Sequence, residues 1–118
     1  MLKVREIVDI LNADVLAGEE NMDMEIYSAC GADLMSDVMA FVKESVILCT
    51  GLVNPQVVRT AEMMDINVIC FVRGKVPGEQ VIELAKEKGI TILATKNPLF
   101  IACGKLYQAG LVGKGVWE

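Results

Sequence analysis

Three uninterrupted apolar runs limit what this chain can fold into. Val46-Ile47-Leu48-Cys49-Thr50, Val68-Ile69-Cys70-Phe71 and Ile90-Thr91-Ile92-Leu93-Ala94-Thr95 have strand length and do not alternate with polar residues. A strand with one wet face alternates; a strand covered on both faces need not. Each run leads into a helix-period segment: Asn54-Pro55 into Val57, Val58, Ala61 and Met64; Pro77 to Lys88; Asn97-Pro98 to about Gln108. Asparagine caps a helix, and proline at the first helical position loses no needed N–H. Lys86, Lys88 and Gly89 mark a helix end, cations at its negative pole and a residue free to turn left-handed. Successive strand–helix units predict a mostly parallel sheet with right-handed crossovers, in three α/β/α layers. Two of the units echo one another: Ile47-Leu48-Cys49-Thr50 precedes Asn54-Pro55, and Ile92-Leu93-Ala94-Thr95 precedes Asn97-Pro98.

The first third reads less regularly. Val4, Ile7, Val8 and Leu11 share one face of a short helix. Residues 14–18 and 24–30 read as strands around an acidic turn, Glu19 to Asp23. Their place in the sheet is left open. Gly31-Ala32 breaks the chain, Asp33 is the expected N-cap of the next helix, and Leu34, Val38, Phe41 and Val42 form its apolar face. Met35, Met39, Met63 and Met64 are expected to pack in the core.

The 118 residues predict one domain, 1–118, large enough to bury roughly two-thirds of its unfolded surface without a metal or disulfide. The net charge of −5 argues against nucleic acid and anionic membranes. The charge is uneven: residues 1–59 hold ten acids and four bases, residues 60–118 six acids and seven bases. This asymmetry, a mean hydropathy of +0.45 and an apolar tail ending in Trp117 predict a homodimer. There is no histidine, which excludes a Ser-His-Asp triad, imidazole base chemistry and histidine-ligated metals. No apolar run approaches the ~18 residues of a membrane span, and Met1 to Glu6 lack an apolar signal region, so a cytoplasmic location is expected.

Cys30, Cys49, Cys70 and Cys103 lack any C-x-x-C spacing and read as core thiols in a reducing compartment. The alternative is an iron–sulfur cluster on all four.

Ligands of open parallel sheets bind beyond the carboxyl ends of the strands. Here those ends carry Thr50, Gly51 and Asn54; Arg73 and Lys75; and Thr95, Lys96 and Asn97. Helix N-termini, basic side chains and hydroxyls together suit a small anionic metabolite or nucleotide. No P-loop, dinucleotide fingerprint or nucleophile elbow is present. Asp33 and Asp37, four apart, are the one carboxylate pair considered for acid–base work. The chain is therefore expected to be non-catalytic.

Gly31-Ala32-Asp33-Leu34-Met35-Ser36-Asp37, then Val46 to Pro55, then Ile90 to Lys96 together resemble the DRTGG domain family, over about Val4 to Leu111. The D-R-T-G-G string itself is absent, and Leu52 follows Gly51 where a second glycine is common. The resemblance implies an α/β/α fold similar to the N-terminal domain of HPr kinase. It implies a regulatory or assembly module, as found beside CBS domains in regulated pyrophosphatases and in long phosphotransacetylases. It adds Asp33 and Ser36 to the ligand-binding candidates. As an alternative it implies an electron-transfer accessory with an iron-only hydrogenase or other redox-enzyme partner.

Overall fold

The computed structural model describes residues 1–40 and 44–113. After a two-residue strand β1 (Leu2–Lys3) come α1 (Val4–Leu11), β2 (Asp14–Ala17), β3 (Glu25–Ile26), β4 (Ser28–Gly31) and α2 (Met35–Met39). The regular half follows: β5 (Val46–Thr50), α3 (Pro55–Met63), β6 (Val68–Phe71), α4 (Glu79–Lys88), β7 (Thr91–Ala94) and α5 (Leu99–Gln108). Five strands form one sheet in the order β2-β7-β6-β5-β4. β4 to β7 are mutually parallel; β2 joins the β7 edge antiparallel, with an irregularity between Val15 and Ala17. The fold is α/β, with helices on both faces of this mostly parallel sheet.

The apolar runs are continuous because the strands are buried on both sides. Leu48, Ile69, Phe71 and Ile92 face a core shared with α2, α3 and α4. Ile47, Cys49, Val68, Cys70 and Leu93 face the opposite core, with α1 and α5. Burial of this kind contributes on the order of 25 cal/mol per Å² and is the main stabilising term.

The caps divide into those that hold and those that shift. Asn54 Oδ1 accepts from Gln56 N at 3.0 Å, with Pro55 at the first helical position. Gly89 ends α4 in the left-handed region at φ 70°. α4 starts at Glu79 behind Gly78 rather than at Pro77, and α5 starts behind Pro98, so Asn97 does not cap it. Asp33 is not a cap either: α2 begins behind Leu34, and the Asp33 carboxylate reaches away across the sheet end. Asp33 therefore lies outside α2 and does not share a helix face with Asp37.

Segment 24–30 is two strands broken at Tyr27; β3 pairs β1, while β4 joins the main sheet. Met35 and Met64 pack against the first core, but Met39 and Met63 are exposed. Phe41, Val42, Val116 and Trp117 lie outside the described residues. Arg5 and Asp23 form an exposed ion pair at 2.7 Å, which holds the Asp23 carboxyl below its usual range. No helix among the described residues is long and apolar enough to cross a membrane.

Candidate functional site

The echoed strand ends are built alike. Thr50 Oγ1 accepts from Leu52 N at 3.1 Å, and Thr95 Oγ1 accepts from Asn97 N at 3.2 Å. Each threonine turns the chain with its own hydroxyl, a local bond available to Ser and Thr. Each hydroxyl then donates to a distant acceptor. Thr50 donates to Asp33 Oδ1 at 3.1 Å, and Thr95 donates to the Leu11 carbonyl at 2.7 Å. Both threonines are buried, so these bonds also satisfy polar atoms that would be costly to leave unpaired.

Two clusters result. In the first, Asp33 Oδ1 also accepts from Gly51 N at 2.7 Å. The Arg73 guanidinium lies over the same glycine. A Cβ at Gly51 would stand 3.2 Å from Arg73 Nη2 and 3.6 Å from Asp33 Oδ1. The absence of a side chain at Gly51 thus lets the carboxylate and the guanidinium each approach the same backbone segment. Arg73 itself has φ 60°, a conformation costing a non-glycine residue about 1 kcal/mol or more. Two bonds keep it there: Arg73 N donates to Asn97 O at 2.9 Å and Gly74 N to Thr95 O at 3.0 Å.

The second cluster surrounds a cavity of about 510 Å³ between the C-terminal end of α1, the loop after β6 and the start of α5. Asn97 Nδ2 donates to the Leu11 carbonyl at 2.9 Å, and Asn97 Oδ1 accepts from Lys105 Nζ at 3.1 Å. Lys75, Lys96 and Lys105 line the cavity, with Asp14 as its acid. Lys75 and Lys96 are exposed, and neither side chain makes a hydrogen bond or ion pair among the described residues.

Of the sequence candidates, Thr95, Lys96 and Asn97 line this cavity, and Asp33, Thr50, Gly51 and Arg73 form the first cluster. Asn54 is occupied as a helix cap, and Ser36 is exposed on α2 with no side-chain hydrogen bond among the described residues. Lys105, Asp14 and the Leu11 carbonyl escape a sequence reading. The available signal is Lys105, two helical turns beyond Asn97.

The four cysteines do not converge. Cys49, Cys70 and Cys103 lie on the α5 side of the sheet, whereas Cys30 belongs to the opposite core. Among the described residues no group of three or more Cys, Asp or Glu is placed to hold a metal ion. The residues therefore do not fit a four-cysteine cluster. Burial pushes the Cys30 thiol up to about 11, with Cys103 and Asp37 adding to the shift. The hydrogen bond with Cys49 and burial raise Cys103, and Cys49 is raised as well, its hydrogen bond to Cys103 opposed by that to Cys70 and by burial. Raised thiols are poor nucleophiles. Iodoacetamide at pH 8, followed by peptide mass mapping, is expected to label Cys30, Cys49 and Cys103 at least about a hundredfold more slowly in the native protein than in urea. Equal rates would contradict the burial. The same shifts make the fold alkali-sensitive. The unfolded state loses these protons near pH 9 while the native state keeps them, so stability falls as pH rises from there toward 11.

Comparison with known proteins places this architecture. The chain spans 93% of its length on the CBS and DRTGG domains of the regulatory region of Clostridium perfringens pyrophosphatase, a structure determined with the activator diadenosine tetraphosphate. The TM-score is 0.74 at 22% identity, which establishes a shared fold. The match covers 48% of that protein's chain, so the present chain spans about half its length. No curated protein matches the sequence. The model of the DRTGG domain matches residues 6–108. With the whole five-stranded sheet, α2 to α5 and most of α1 inside that match, the chain belongs to the DRTGG domain family.

Proposed function

We propose that this chain is a non-catalytic regulatory domain that binds a small anionic metabolite or nucleotide in the cavity beyond β6 and β7. The observation that carries this reading is the cavity itself. It has room for a mononucleotide, three lysines around it, and a floor of fixed hydrogen bonds from Thr95 and Asn97. Lysines held near one another with a single acid favour an anion in their midst. Nothing in the cavity pairs a nucleophile with a base, so binding is the chemistry it supports. The related pyrophosphatase region, which binds a nucleotide activator, supports the reading by analogy of fold.

Calorimetric titration with adenine nucleotides, acyl phosphates and inorganic phosphate tests it. At least one is expected to bind. The double variant Lys75→Glu/Lys96→Glu is expected to weaken that binding by roughly 10- to 100-fold, the loss of one or two charged hydrogen bonds. Binding unaffected by the double variant, or no binding by any of these anions at millimolar concentration, would overturn the proposal.

A further inference from the structure

Among the described residues, the outer face of α5 packs against nothing in its own chain. Phe100, Gly104 and Tyr107 fall at helical spacing and form one ridge. Phe100 is 84% exposed and Tyr107 is 75% exposed. Beside the ridge runs a groove of about 410 Å³, with Cys103, Leu111 and Val112 along it and Ala29 of β4 beneath. Scattered apolar side chains are ordinary on a surface. An aromatic ridge beside an apolar groove is not.

Charge and area together indicate the occupant. α5 carries a single charged residue, Lys105, and its ammonium turns away from the ridge onto Asn97. Among the described residues the ridge and groove thus hold no charged side chain, on a chain whose net charge is −5. Two copies repel over most of their surface and meet without like-charge contact on this face. Phe100, Tyr107 and Val112 leave on the order of 400 Å² of surface open, about half of the ~800 Å² that each partner buries in a standard interface. A two-fold contact needs one surface to be knob and hole at once. This face has both.

We propose that a second copy of this chain seats on the α5 face, the aromatic ridge of each copy entering the groove of the other. Gly104 sits at the centre of the contact. Apart from its chain neighbours and the backbone of its own helix, no atom of the described residues lies within 4 Å of a Cβ placed there, so the position is open for another surface to approach closely. The proposal stands apart from the anion site, which lies on the other flank of the same helix.

Sedimentation equilibrium from low to high micromolar concentration tests it on three proteins. The wild type is expected to be a dimer. Gly104→Glu is expected to raise the dissociation constant at least about a hundredfold, because a carboxylate is buried at the centre of the contact. In the single copy it meets no clash and replaces a glycine with a better helix former, so its melting temperature, followed at a concentration where both proteins are monomeric, should hold or rise. Met63→Glu, exposed on α3 across the sheet, is expected to remain dimeric. Should Gly104→Glu be insoluble, Phe100→Lys carries the same expectation. A wild type that is monomeric throughout overturns the proposal. So does a Gly104→Glu variant, or in its place Phe100→Lys, that dimerises like the wild type, or a Met63→Glu variant that does not dimerise.

Discussion

Gly18→Ala is expected to lower the melting temperature by roughly 15 °C, or to leave the chain unfolded at 37 °C. Gly18 leaves β2 with φ 84°, a region that costs alanine about 1–2 kcal/mol. The added methyl would also collide with Thr91, standing 2.8 Å from its Cα and against its Oγ1. Thr91 has no room to retreat. Its N–H donates to Asn67 O at 2.9 Å, its hydroxyl accepts from Asn21 Nδ2 at 3.1 Å, and it is the first residue of β7, paired with Val68. Backbone overpacking adds about 1–3 kcal/mol, for a total of about 2–5 kcal/mol in a domain whose whole stability is about 5–15 kcal/mol. Adding Thr91→Ala removes the hydroxyl but not the Cα and should restore little. Thermal melts followed by circular dichroism decide the matter: a shift within about 3 °C, or full rescue by Thr91→Ala, would show that the backbone contact is not the cause.

Phe71→Ala is the second large effect, about 3–5 kcal/mol in urea titration. The ring is fully buried at the carboxyl end of β6, in the core under α3 and α4. The backbone of this residue also supports the site: its carbonyl accepts from Thr95 N at 2.9 Å, and it pairs in register with Thr50 and Ala94. A cavity here therefore loosens the strand ends from which both polar clusters hang. Phe71→Leu keeps most of the volume and should cost less than about 1.5 kcal/mol. Equal losses for the two variants would mean that ring shape, rather than filled volume, stabilises this position.

What the sequence discloses about this fold is what local chemistry decides. The runs of β5, β6 and β7 are unbroken because each residue is buried on one face or the other, and the Asn54-Pro55 pair caps α3 with atoms two residues apart. The same local rules misplace Asp33 and Asn97. Both have the right residue type for a cap, but each finds a stronger long-range use. Asp33 holds the Thr50–Gly51 turn, and Asn97 holds the last carbonyl of α1 and the Lys105 ammonium. The cavity was half legible for the same reason. Thr95, Lys96 and Asn97 sit at a strand end, where ligand sites are expected. Leu11 and Asp14 arrive there only because β2 returns along the far edge of β7, an attachment that no local pattern announces. Leu2–Lys3 is too short to read as a strand without Glu25–Ile26 beside it.

That return also orders events in time. Asp14 pairs with Ala94, and Thr95 closes onto the Leu11 carbonyl 84 residues earlier. On a ribosome adding about 5–20 residues per second, the first strand-sized stretch of the sheet emerges roughly ten seconds before the strand that receives it. Through that interval Val4, Ile7 and Leu11, all fully buried in the finished domain, have no core to enter. Folding of such non-local pairings is slow because loop closure precedes any reward in contacts. Within this domain the residues made first are thus among the last to be sheltered, which makes residues 2–17 the part of the nascent domain most in need of a chaperone.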